Sequence, residues 1–175
     1  MKPALKLMAL VAGVLGVLIL VWAKLPLTVW YRDKRPTRFG KATNRAMGKF
    51  AALGVPAYGM VTLEMPGRKS GRPTSTVLVL AKEDGREFLV SMLGHNVDWV
   101  KNVRAAGFDA VLRHGKRRQV HLTDVPVDKR APLLKRYAIL APGGRRHIPV
   151  ALDAPLEEWA QVAADYPVFW VEERV

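Results

Sequence analysis

At 175 residues, with a formal net charge of +13 and no cysteine, the chain excludes disulfide frameworks, thiolate nucleophiles, iron–sulfur clusters and cysteine-linked lipids. Its length suffices for one folded core and hardly for two. The charge calls for an anionic partner, whether a phospholipid surface, nucleic acid or a polyanionic small molecule, without choosing among them.

The uncharged run from Leu7 to Ala23 is too apolar for one face of a surface helix. As a helix it spans roughly 25 Å against a hydrocarbon core of ~30 Å, with Lys6 and Lys24 placed to snorkel and Trp22 to sit among headgroups. Residues 1–23 are therefore expected to form a transmembrane anchor. The competing reading is a cleaved secretory signal, since Lys2 and Lys6 make a charged start and Val21-Trp22-Ala23 offers small residues at the cleavage positions. Lys24, Arg32, Lys34, Arg35, Arg38 and Lys41 after the run outweigh Lys2 and Lys6 before it. The positive flank stays inside, which predicts a single-pass protein of the cell membrane with its domain facing the cytoplasm.

Residues 24–57 then form a basic juxtamembrane segment and an amphipathic helix from Asn44 to Leu53, stopped by Gly54 and Pro56. From residue 58 to 175 strand signals dominate: Tyr58 to Met65, Ser75 to Lys82, Glu87 to Met92, Asp109 to Arg113 and Arg118 to Leu122. Turn chemistry between successive strands implies antiparallel hairpins in a sheet or barrel. Helices are expected from Val97 to Ala106, Lys129 to Leu140 and Pro155 to Ala164, the last with Asp153 as N-cap. Pro167 to Val171 reads as a closing strand.

Two segments carry chemistry. The turn Gly67-Arg68-Lys69-Ser70-Gly71-Arg72 gathers three cations, a hydroxyl and two glycines between strands, the parts of a phosphate cradle. A solvated basic hairpin explains the same residues. The second segment, Ser91-Met92-Leu93-Gly94 followed by Asp98-Trp99-Val100-Lys101-Asn102-Val103, ends a strand and enters a helix. There Trp99 and Asn102 are three apart and can face one neighbour, as the wall of an aromatic cofactor pocket or as core and local backbone partners. His95, His114, His121 and His147 lie in separate segments without ligand spacing, so no metal is expected. Glu157-Glu158 and Glu172-Glu173 read as solvated or helix-dipole charges. No serine has nucleophile-elbow context.

In this combination and order, strand-GRKSGRP-strand-EDG-strand-SMLG and then DWVKNV, the chain resembles the deazaflavin-dependent nitroreductase family, also called deazaflavin-dependent quinone reductases, over roughly Tyr58 to Val171. The resemblance implies an α+β fold built on a split β-barrel of the FMN-binding kind with flanking helices. It also implies binding of coenzyme F420 and hydride transfer from its reduced deazaflavin to an electron-poor acceptor such as a quinone or nitro compound. Carried over by position, Arg68 and Lys69 would hold the cofactor's phosphate and acidic tail, and Thr74, Ser75 and Thr76 would continue that wall. Leu78, Met92, Asp98, Trp99 and Asn102 would surround the ring.

The chain departs from the nitroreductase pattern in two places. The loop after Ser91 is shorter and has no lysine, and Arg130 to His147 lacks their tyrosine-rich segment. The cofactor performs the chemistry, so no catalytic side chain is assigned; Tyr137, His95 and Ser91 are the candidate proton donors. The partners expected are a small-molecule acceptor, membrane lipid and a second copy in a homodimer. Nucleic acid is not expected, because the basic residues are not interleaved with an aromatic stacking platform. FMN in place of the deazaflavin is the alternative within enzymes. Outside them, the alternative is a non-catalytic membrane-attached protein binding cofactor or acidic lipid.

Overall fold

The computed structural model describes residues 59–174 and, before them, 29, 31–32, 35–38, 40 and 42–43. The apolar run Leu7 to Ala23 and the expected helix Asn44 to Leu53 lie outside the described residues. Among those described, no helix is long and apolar enough to cross a membrane. The chain divides into two compact units, Met1–Gly40 and Lys41–Val175. The first contains a short antiparallel hairpin of β1 (Tyr31–Arg32) and β2 (Arg35–Pro36). Just after it, the Thr37 hydroxyl donates to the Val29 carbonyl at 2.6 Å.

The second unit is a closed antiparallel barrel of six strands. These are β3 (Met60–Pro66), β4 (Pro73–Glu83), β5 (Arg86–Val90), β6 (Asp109–His114), β7 (Lys116–Asp124) and β8 (Val168–Glu173). Around the barrel the order is β3-β4-β5-β8-β7-β6, with β6 returning to β3. Hairpin turns connect β3 to β4, β4 to β5 and β6 to β7. At the β4–β5 turn Asp84 and Gly85 take φ of +49° and +76°, the conformation that a two-residue turn needs to match strand twist. The terminal segment then enters between β5 and β7 and closes the barrel.

Alternation along the strands separates two apolar clusters. Val61, Leu63 and Met65 of β3 join Leu89, Leu112, Val120, Leu122 and Phe169 in one of them, onto which α1 (Asp98–Ala105) packs its buried Val100 and Val103. Ala81, Phe88, Val90 and Val168 belong to the other, packed with α2 (Arg130–Leu140) and with Trp159 of α4 (Leu156–Val162). A one-turn helix, α3 (Pro142–Arg145), lies between α2 and α4 in sequence.

Two local expectations need correction, and one short helix was not expected. The strand expected to reach Met92 ends at Val90. There the Ser91 N–H donates to the Pro167 carbonyl at 2.8 Å and its hydroxyl to the Gly94 carbonyl at 2.7 Å, so the chain turns away. Asp153 does not cap α4. A turn closed by the Ala154 N–H on the Ala151 carbonyl at 3.2 Å holds Asp153 short of the helix, and Pro155 takes the N-cap position without a side-chain bond. Helix α3 falls in the PGGR stretch, whose two glycines carry no helical signal; it starts on Pro142, whose fixed φ suits a first helical position.

Candidate functional site

The β3–β4 turn is held by its own backbone. The Gly67 N–H donates to the Arg72 carbonyl at 2.9 Å, and the Gly67 carbonyl accepts from Ser70 at 3.2 Å and from Gly71 at 2.8 Å. The Arg72 N–H takes the Ser70 hydroxyl oxygen at 3.3 Å. Both glycines are required by this shape. Gly71 has φ of +66°, and a Cβ on Gly67 would come within 3.1 Å of the Thr74 methyl and 3.3 Å of the Arg72 carbonyl. Because these backbone donors close on the turn itself, contact with an anion falls to side chains. Arg68, Lys69 and Arg72 all lie at the exposed surface of the turn.

A polar network ties this turn to α1. The Asn102 side-chain oxygen accepts from the Arg68 backbone N–H at 3.3 Å and from Arg68 Nη1 at 2.9 Å. Its amide nitrogen donates to the Thr74 hydroxyl at 3.4 Å, and that hydroxyl donates to the Met65 carbonyl at 3.0 Å. Asn102 is only 7% exposed, so its hydrogen-bonding capacity is committed to the turn rather than to solvent. The second guanidinium nitrogen, Arg68 Nη2, donates to Asp98 Oδ1 at 3.0 Å. Positions 98 and 102 are one helical turn apart, which is why both reach the same arginine.

Trp99 lies on the neighbouring flank of α1, partly buried, with its ring edge-on to Phe169 at a centroid distance of 5.5 Å. Register explains the rest of the β4 wall. Thr74, Thr76 and Leu78 pair with Met65, Leu63 and Val61, so they share the face that carries that cluster. Ser75 pairs with Glu64 and points to the opposite face. Met92 lies elsewhere: it packs on the cluster of α2 and α4, and the Tyr137 hydroxyl donates to its thioether sulfur at 3.7 Å.

The structure thus joins Arg68, Thr74, Asp98 and Asn102 by hydrogen bonds and sets Lys69 on the same turn. Thr76, Leu78 and Trp99 line the adjoining apolar cluster, whereas Ser75 and Met92 stand apart. Arg72, in the turn, and Lys101, three residues after Asp98 on α1 and exposed, add cations that the resemblance did not assign; the helical spacing from Asp98 is the signal that points to Lys101.

Of the candidate proton donors, Ser91 is 1% exposed and holds the Gly94 carbonyl, and Tyr137 is 3% exposed beneath Gly144 and Met92. His95 Nε2 meets the Ala164 carbonyl at 2.7 Å. Among the described residues no group of three His, Asp or Glu side chains could hold a metal ion. The exposed guanidinium and ammonium groups of the turn suit a phosphate-bearing ligand.

Comparison with known proteins gives three results. The family model described as F420H(2)-dependent quinone reductase matches residues 37–155. No curated protein matches. Among solved structures, an F420-H2 dependent reductase aligns at 22% identity over 65% of this chain and 94% of its own, with a TM-score of 0.45. A structure described as a domain-swapped dimer aligns at 20% identity over 76% of this chain and 96% of its own, TM-score 0.49. A FAD-binding protein from Mesorhizobium loti aligns at 15% identity over 71% of this chain and 86% of its own, TM-score 0.45.

Proposed function

Because the chain belongs to the F420H(2)-dependent quinone reductase family, we propose that it passes a hydride from reduced coenzyme F420 to a lipophilic, electron-poor acceptor such as a quinone at a membrane face. It is an oxidoreductase, and coenzyme F420, rather than FMN, is its cofactor. The observation that carries the reading of the site is the Arg68–Asn102–Thr74 network, which fixes a cationic turn against the helix bearing Trp99.

When bound, the reduced deazaflavin supplies the hydride. The chain's own residues bind and orient. Arg68, Lys69 and Arg72 would meet the phosphate and acidic tail. Asn102 is a positioning residue: it acts through the guanidinium it holds. Trp99, partly buried and edge-on to Phe169, would offer a flat apolar surface to the ring.

The acceptor class is supported by the apolar run Leu7 to Ala23 and its basic flank, which would hold the domain at the cytoplasmic face of the cell membrane, where quinones partition. A second copy in a homodimer is part of the proposal as well. The test is turnover of the purified full chain with reduced F420 and a menaquinone analogue, followed by the recovery of oxidised-deazaflavin absorbance. Acceptor-dependent oxidation is expected. Oxidation with a polar nitro compound but with no quinone would refute the acceptor class and leave the cofactor standing.

A further inference from the structure

Arg68 presents two nitrogens to α1, and their surroundings differ. Nη1 is committed to the buried Asn102 amide at 2.9 Å, while Nη2 holds an Asp98 carboxylate whose side chain is 85% exposed, against 28% for Arg68. Asn102 sets the plane of the guanidinium, and the edge facing solvent is the one Asp98 occupies. From these contacts we infer that Asp98 is the internal anion that Arg68 exchanges for the phosphate of its ligand, so that this carboxylate limits how tightly the Gly67–Arg72 turn holds the cofactor. The inference rests on the reading that this turn receives the cofactor's phosphate.

The direction follows from charge. A phosphate arriving at Nη2 must displace the carboxylate or lie beside it, and either route opposes binding. An exposed ion pair contributes about 0–1 kcal/mol, so the opposition is worth up to about fivefold in affinity and no more. Asparagine at position 98 would still accept a hydrogen bond from Nη2. The guanidinium therefore keeps its orientation in Asp98→Asn while the competing charge is gone. The same bond makes the rival role distinguishable: if Asp98 served to pre-orient Arg68, its loss would weaken binding.

The experiment is a titration of the full chain, purified in detergent, with coenzyme F420, comparing wild type, Asp98→Asn, Arg68→Ala and Glu158→Gln. Glu158, exposed in the first turn of α4, changes net charge by the same amount outside the network. Asp98→Asn should bind about two- to fivefold tighter, with KM for reduced F420 falling by a similar factor. Glu158→Gln should match wild type.

Equal or weaker binding by Asp98→Asn, with Arg68→Ala still impaired, overturns the exchange and leaves the phosphate reading intact. An equal gain in Glu158→Gln also overturns it, because the effect would then be one of net charge. Arg68→Ala binding as tightly as wild type removes the phosphate reading itself, and the inference with it.

Discussion

Asn102 shows how one side chain can decide what a flexible cation does. A free arginine loses rotamer freedom to bind an anion, and here the amide oxygen, buried and bonded to both the backbone and Nη1 of Arg68, has already fixed it. Replacing Asn102 by leucine leaves those donors and the Thr74 hydroxyl without the amide, at about 1–3 kcal/mol. The expected phenotype is a raised Kd for F420 with a smaller change in kcat, read by titration and steady-state kinetics; an unchanged Kd with slowed turnover would place the amide at the ring instead.

A second residue-scale case lies under α3. A Cβ on Gly144 would collide with the Tyr137 hydroxyl and come within 2.9 Å of its ring. Tyr137 is 3% exposed and packed in the cluster of α2 and α4. Gly144→Ala should therefore lower stability by about 1–3 kcal/mol and lower the thermal midpoint, measured by circular dichroism. An unaltered midpoint would show that α3 yields to the ring.

At the scale of elements, the strands of the barrel are stitched by cross-strand charges. Glu87 on β5 takes Lys82 of β4 at 3.1 Å and Arg118 of β7 at 2.8 Å, reaching past β8. Desolvation alone would raise its pKa, but the hydrogen bonds and charges of Arg118 and Lys82 outweigh that and hold the carboxyl below its usual value. A depressed carboxyl contributes stability that is present above its unfolded pKa, near 4.3, and lost as pH falls through the lower folded value. Thermal unfolding across that acidic window should show wild type losing more than Glu87→Gln; parallel losses would mean that the bridge contributes nothing.

These elements were unevenly legible. Hairpin turns such as Asp84-Gly85 announce their strands, because local backbone geometry demands those residues. The place of β8 between β5 and β7 was not readable, because that pairing joins segments far apart in the chain. At the site, the cations of the turn and the Asp98-Trp99-Asn102 helix stood out as separate signals. That Arg68 joins them, and that Ser75 faces away, follows from register and tertiary approach, which composition does not encode.

Across the whole molecule, a six-stranded barrel, a basic charge balance and an apolar N-terminal run occur in one chain. The proposed anchor predicts that the full chain stays with the membrane fraction through a high-salt wash and is released by detergent, since hydrophobic burial is insensitive to salt that screens the basic flank. Release by salt alone would reduce the attachment to charge.

The central claim is that this chain is an F420-dependent reductase that takes its cofactor's phosphate at Arg68. Equilibrium binding of coenzyme F420 to wild type and to Arg68→Ala tests it most directly. Saturable binding by wild type is expected, with affinity about tenfold or more weaker in the variant, the equivalent of at least about 1.4 kcal/mol. Equal affinity in the two proteins, with both folded, would contradict it.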